Sequence, residues 1–368
     1  MTWRLTTLVE SESPTTEKAA VDALGAWLAE WAHQQGAEVK VHPHPVVGNF
    51  IECLWNNHLP LRPITILCHM DTVHPLGSVE KRPTRIEDEV LFGVGAYDMK
   101  ASLVIVQTVI EQLREHGQLP PRPLRVLFTS DEEIGSPYSR PLIELACIES
   151  ELVLVMEFCN YEEAIVTERK GVGLFQLTAL GREAHAGSAP EAGVNAIVGL
   201  ARMLEPLLAI ADPALGTTLV PAVIRGGTSH NVVPGACDLV INVRVRYHRE
   251  ANRVFDALER LAESVPLPGV ELILTGDYMR PPMERDAIMQ KTVETLYQVA
   301  GVPFGEERRG GGSDGNFSAS LGVPTLDGLG ASGEGAHSAH EQVYLPSMVS
   351  RAGLLAQILT AWPSSPRH

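Results

Sequence analysis

The stretch LRVLFTSDEEIGSPYSRPLIELACIESELVLVME, residues 124–157, decides the fold. It opens on an apolar strand-like run, 124–129, and passes through the acidic turn Ser130-Asp131-Glu132-Glu133-Ile134-Gly135. A helix over 138–148 follows, then a second apolar run, 152–156, capped by Glu157. Strand, helix and strand in that order predict an α/β fold, with a mainly parallel central sheet and helices on both faces. Upstream, Pro63-Ile64-Thr65-Ile66-Leu67-Cys68 is a short apolar run of the type buried on both sides. Strand-like stretches at 38–43 and 48–54 precede it. A helix over 15–35, capped by Thr15 or Thr16, places Val21, Leu24, Leu28 and Trp31 on one face and ends at Gly36. Another helix runs from near Asp98 to Gly117.

The texture changes near residue 168. Strands at 171–180 and 217–225, an apolar helix over 191–209, a strand at 236–246, a helix at 249–264 and a strand at 269–275 read as a smaller α+β domain. The chain leaves it near Pro281-Pro282, and a helix over 285–300, a strand near 323–327 and a terminal helix at 346–361 follow. The expected organisation is a catalytic domain (1–168 and 283–368) interrupted by an inserted domain (169–282).

Composition narrows the function. The 368 residues are 45% hydrophobic and 20% charged, which is globular. Lys and Arg total 29 against 45 Asp and Glu, a formal net charge of −16. That balance argues against nucleic-acid and anionic-membrane partners, which need a basic face. An anionic small substrate requires a local cation. No basic segment followed by an apolar run opens the chain, so a cytoplasmic location is expected, with a periplasmic one only from a trimmed precursor. The 5 cysteines lack CxxC spacing and read as buried thiols.

Four polar clusters fall where strands end or helices begin: His69-Met70-Asp71, Gly95-Ala96-Tyr97-Asp98, Asp131-Glu132-Glu133 and Met156-Glu157. Each alone has an ordinary explanation: a polar loop, an N-cap, a solvated turn, a structural acceptor. Together they stand at the carboxyl ends of strands, where α/β sheets place their sites. Residues 69 and 71 point the same way in extended chain, so Asp71 can orient the His69 ring. Histidine with carboxylates suits zinc, with cobalt or manganese as substitutes. So many carboxylates exceed one tetrahedral ion; two ions roughly 3.5 Å apart, sharing a carboxylate, would accommodate them. A second histidine is then expected, and His337 and His340 are the candidates.

These motifs resemble the dinuclear-zinc exopeptidases that include glutamate carboxypeptidase, acetylornithine deacetylase, succinyl-diaminopimelate desuccinylase, aminoacylase and peptidase T. The resemblance covers nearly the whole chain and is nearest the bacterial glutamate carboxypeptidase branch. Leu67 to Val73 stands for Ser-x-His-x-Asp-x-Val, with Leu67 in the serine's place. Gly93 to Lys100, Asp131 to Ser136, Gly181 to Gly187, Gly227 to Pro234, Gly311 to Asp314 and His337-Ser338-x-x-Glu341 complete the set. The resemblance implies that His69 and Glu157 bind one zinc, Glu133 and His337 the other, and Asp98 bridges them. It implies two zinc ions per chain and a cis peptide after Asp98. Glu132 would be the general base, and Asp71 would serve catalysis by orienting the His69 ring. His185 would donate to the oxyanion from a neighbouring subunit, and Asn231 and Arg244 would bind a substrate carboxylate. A homodimer formed through the inserted domain, acting as its lid, is implied as well. The expected substrate is a peptide or N-acyl amino acid with a free α-carboxylate. Two activities fit it, carboxypeptidase and N-acyl-amino-acid deacylase. A non-catalytic binding homologue would have lost Glu132 or a ligand, and every one of these positions is intact.

Overall fold

The structure, a computed structural model, describes residues 1–364. The chain divides into two compact units, one of Met1–Glu168, Arg285–Arg309 and Ser313–His368, the other of Arg169–Glu284 and Gly310–Gly312. The glycine run at 310–312 groups with the second unit, although sequence reading put it with the catalytic domain.

The first unit is built on a six-stranded sheet in the order Glu38–His42, Phe50–Trp55, Leu124–Thr129, Ile64–His69, Leu152–Val155 and Thr325–Leu326. The first two strands run antiparallel to their neighbours, while Leu124–Thr129, Ile64–His69, Leu152–Val155 and Thr325–Leu326 pair in parallel. The central strands are buried along their whole length, as their unbroken apolar runs require. Ile143 and Cys147 of helix Arg140–Ile148 and Phe317 of helix Gly315–Ser320 pack with Leu67, Leu127, Val153 and Val155 in one core cluster. Emptying such a position, as in Phe317→Ala, costs roughly 3–5 kcal/mol. Helix Ala101–Glu115 packs against helix Leu345–Ala361.

Parallel strands place their carboxyl ends on one edge. His69 ends one central strand, Ser130-Asp131 follows its neighbour, and Met156-Glu157 follows the next. The Asp98 turn, Ala96–Lys100, immediately precedes helix Ala101–Glu115, and the Asp98–Met99 peptide is cis.

The first long helix spans Lys18–Gln34 and its N-cap is Glu17, so neither Thr15 nor Thr16 caps it. Among the elements that the sequence reading did not foresee are helix Thr2–Glu10 and a small sheet made by Arg85–Glu87, Val90–Phe92, Gly333–Glu334 and Gln342–Tyr344.

The second unit is a four-stranded antiparallel sheet in the order Thr218–Gly226, Ala236–Val245, Gly171–Leu180, Glu271–Arg280. Alternation puts Cys237, Leu239, Ile241, Val243 and Val245 into its core, with Leu200, Leu207, Val254 and Leu258 from the helices. The apolar stretch expected as one helix over 191–209 is a 3-10 turn and two short helices, Ala196–Ala201 and Leu204–Leu208. Pro206 has no N–H to donate back to Arg202, which breaks the run.

Candidate metal centre

The candidate ligands converge in the first unit. The Asp98 carboxylate lies between two imidazoles: His69 Nε2 is 3.0 Å from Oδ1 and His337 Nε2 is 3.0 Å from Oδ2. Glu157 stands on the His69 side at 3.7 Å, and Glu133 on the His337 side at 3.0 Å. The centre thus has two halves joined through Asp98. Donor atoms of His69, Glu132 and Glu157 lie within 4.8 Å of one another, and so do those of His69, Asp98 and Glu133. Glu132 accordingly belongs beside the His69–Glu157 half.

Contacts from outside the centre hold the His69 ring and the backbone of the acidic turn. His69 Nδ1 donates to the Asp71 carbonyl at 3.0 Å, with the Asp71 carboxylate 3.6 Å away. The backbone of Asp71, more than its side chain, therefore orients the ring. The Asp71 carboxylate accepts instead from the peptide N–H of Glu132 and of Glu133, at 3.3 and 3.2 Å, and from the Thr15 hydroxyl at 2.8 Å. Asp71 links the His69 strand to the acidic turn. Thr15, read from sequence as a helix cap, is a buried partner of Asp71. His337 adopts φ +62, an uncommon left-handed conformation for a side-chain-bearing residue. Asp131 falls in neither group of ligand atoms; its Oδ2 accepts the peptide N–H of Tyr138 and Ser139, while its Oδ1 has no hydrogen-bond partner among the described residues. Ser136, at the end of the acidic turn, donates to Asp314 at 2.5 Å.

Electrostatics show a centre that calls for positive charge. Burial works against ionised Asp98, yet hydrogen bonds from His337 and His69 hold it well below the usual carboxylate range. Burial alone would lower His69, but the nearby carboxylates of Asp71 and Asp98 carry it well above its ordinary value. Hydrogen bonds to Asp98 and Glu133 push His337 up to about 11. Burial and then the Asp98 charge raise Glu133. Glu133 Oε1 is a buried acceptor without a hydrogen-bond partner among the described residues. An orphaned carboxylate oxygen in a surplus of carboxylates, with two imidazoles and no thiolate, fits borderline or hard divalent cations.

The second unit holds the other candidates. His185 and Asn231 are neighbours: Ala184–His185 pairs with Val232–Val233, and the Ala186 N–H donates to the Asn231 carbonyl. His185 Nδ1 accepts two peptide N–H groups, from Gly187 and Ser188, both at 3.1 Å. Its ring proton therefore sits on Nε2, on an exposed side chain. Ser229 donates to the Asn231 Oδ1 at 2.7 Å, leaving the carboxamide N–H₂ as the group it offers. Arg244 is half-buried; it donates to Asn242 Oδ1 at 3.0 Å and to the Gly310 carbonyl at 3.4 Å. Arg244 pairs with Val172 and Thr218 in the four-stranded sheet, whereas Asn231 precedes Val232–Val233 of a separate two-stranded ladder. Ala236 and Arg244 are 8 residues apart on one strand, ~26 Å at the usual rise, and Asn231 precedes that strand, next to Val232–Val233.

Residues 65–361 match Peptidase family M20/M25/M40. The chain is 30% identical over 280 residues to carboxypeptidase G2 of Pseudomonas sp. (strain RS-16), covering 75% of this chain and 68% of that protein. It is 25% identical over 357 residues to succinyl-diaminopimelate desuccinylase 2 of Shewanella loihica, covering 91% of this chain and 93% of that one. Among solved structures, aminopeptidase PepT of Bacillus cereus superposes with a TM-score of 0.74 at 22% identity, covering 98% of this chain and 97% of that one. With the match spanning both the strand-end acids and the His337 loop, this chain belongs to Peptidase family M20/M25/M40 and is a hydrolase of the metallopeptidase and amidohydrolase type.

Proposed function

We propose that this enzyme is a dinuclear zinc carboxypeptidase of the glutamate carboxypeptidase kind, hydrolysing the amide bond to a C-terminal residue with a free α-carboxylate. The observation that carries it is the Asp98 carboxylate set between His69 and His337, each with its own glutamate, and Glu132 beside the His69 half. His69 and Glu157 would hold one ion, Glu133 and His337 the second, and Asp98 would be shared by both, with cobalt or manganese as substitutes. When bound, two such cations supply Lewis acidity that acidifies a water and polarises the scissile carbonyl.

Glu132 takes a proton from the attacking water and returns it to the departing amine, so the C–N bond is exchanged for C–O. Its backbone N–H is pinned by Asp71, which keeps the carboxylate beside the reacting carbonyl. His185 donates from Nε2 to the developing oxyanion. Arg244 receives the α-carboxylate as a guanidinium clamp. Asn231 donates through its N–H₂.

The second unit acts as a lid and as the contact of a homodimer. Its edge strand Thr218–Gly226 exposes Val220, Val223 and Ile224, an apolar strip of the kind a partner covers. The distance between Arg244 and the His185–Asn231 pair supports supply of that pair by a second copy.

A second reading, N-acyl-amino-acid deacylase, is favoured by the desuccinylase relative, whose match spans most of both chains. The test is a panel of acyl-glutamate, dipeptide and N-acetyl amino acid substrates, assayed after chelation and after zinc, cobalt or manganese is restored. Turnover of dipeptides and aromatic acyl-glutamates well above N-acetyl amino acids supports the carboxypeptidase. The reverse order assigns the deacylase.

A further inference from the structure

The segment Gly335–Glu341 delivers His337 to the centre, but Glu341 has no part in the chemistry above. It is nonetheless among the most completely engaged carboxylates in the chain. Glu341 is 3% exposed. Its Oε1 accepts the peptide N–H of Tyr97 at 2.9 Å and of Asp98 at 3.0 Å. Its Oε2 accepts the peptide N–H of Gly95 at 2.9 Å and His74 Nε2 at 2.7 Å. Three amides of one turn thus converge on one anion, the arrangement of a backbone nest. Gly95 permits that turn: its φ is +66, and a Cβ there would come within 2.5 Å of Thr72 Cγ2.

The network continues outward. Arg82 Nη2 lies 3.2 Å from His74 Nδ1. A guanidinium can only donate, so Nδ1 accepts, and the ring proton sits on Nε2, donating to Glu341. Arg82 Nη1 also donates to the carbonyl of Ser338 at 3.0 Å, next to His337. Arg82 therefore grips the His337 loop while Glu341 grips the Asp98 turn, and His74 joins the two. Glu341 and Asp98 are 243 residues apart in sequence, so no local preference sets their spacing.

We propose that Glu341, with His74 and Arg82, is a positioning residue that holds the Asp98 turn and the His337 loop at the separation a metal pair requires. This rests on the metal reading given above. A glutamine at 341 has nearly the same shape but places an N–H₂ where a carboxylate oxygen now accepts two donors. One side of the nest then faces donor against donor.

The test titrates Co²⁺ into chelator-stripped full-length protein, following visible absorption, with kcat and KM measured on the reloaded enzyme. Glu341→Gln should bind Co²⁺ 10–100-fold more weakly, the usual scale for loss of a residue that orients ligands. Its absorption spectrum should differ from wild type even at saturation, and kcat should fall with little change in KM. Arg82→Ala should show the same changes to a smaller degree. Asp98→Ala is the control for the metal reading. Wild-type Co²⁺ affinity and spectrum in Glu341→Gln, with Asp98→Ala impaired, overturn the positioning role alone. Wild-type binding by Asp98→Ala overturns both. If Glu341→Gln does not fold, Arg82→Ala decides, since its side chain lines a cavity of about 380 Å³ and trimming it removes no core. Weakened Co²⁺ binding there supports the role, and unchanged binding overturns it.

Discussion

Asn231 directly precedes the two-stranded ladder of Ala184–His185 with Val232–Val233, whereas Arg244 pairs with Val172 near the far end of the strand Ala236–Val245. With Ala236 to Arg244 alone spanning ~26 Å at the usual rise, a single α-carboxylate is not expected to reach both from one chain. If both bind substrate, one must come from a second copy, and His185 travels with Asn231. Subunit mixing tests this. Glu132→Ala and His185→Ala proteins should each be nearly inactive. A mixed dimer has one site with an intact Glu132 and a borrowed His185, so activity should return on exchange. Demonstrated exchange with no recovery places His185 in its own chain or outside the reaction.

Metal analysis should find two ions per chain at saturation, since the carboxylates and imidazoles divide into two halves around Asp98. Chelation should abolish activity and lower the thermal midpoint. Free metal at 100 times its Kd stabilises the fold by about 2.7 kcal/mol. Saturation at one ion in active protein contradicts the division.

Glu132 and Glu133 are adjacent but should behave differently. Glu132→Ala should keep both ions and lose ~10²-fold or more in kcat, the scale of a missing general base. Glu133→Ala should lose metal, because its carboxylate sits 3.0 Å from His337 and holds the orphaned oxygen. Metal content of the two purified variants checks the assignment, and the opposite pattern reverses it.

Arg244→Ala should raise KM for substrates with a free α-carboxylate, at a cost of roughly 1.5–3 kcal/mol for a lost charge-assisted contact. Amidating that carboxylate should penalise the wild type and barely affect the variant. Equal penalties in both remove Arg244 from the carboxylate site.

Thr15→Val removes the hydroxyl that donates to buried Asp71 at 2.8 Å. Asp71 Oδ2 keeps the Glu133 N–H, so the loss of this one bond to a carboxylate should cost roughly 1.5–3 kcal/mol at most in denaturant unfolding. Because Asp71 also holds the backbone of Glu132 and Glu133, kcat should fall as well. An unfolding free energy and kcat equal to wild type would mean that the hydroxyl does not serve Asp71.

Much of this protein was legible in its sequence. The apolar runs at 64–68, 124–129 and 152–156 could only be buried strands, and the acids after them had to collect at one sheet edge. Those are local properties, carried by periodicity and by the residue that follows each strand. The same reading failed where a local signal had two uses. Thr15 had the residue type and place of an N-cap, but its hydroxyl serves Asp71, and Pro206 was overlooked inside an apolar run.

Tertiary structure alone decided the pairing. Which oxygen of Asp98 faces which imidazole, that the Asp71 carbonyl rather than its carboxylate holds His69, that Glu341 gathers three amides of the Asp98 turn, and that Asn231 stands away from Arg244 are not written in any window of sequence. A hydrogen bond is satisfied by whatever donor the fold brings within about 3 Å, and side-chain type fixes only the capacity to donate or accept. Composition and spacing therefore named the groups of this centre, while the packing of distant segments chose their partners.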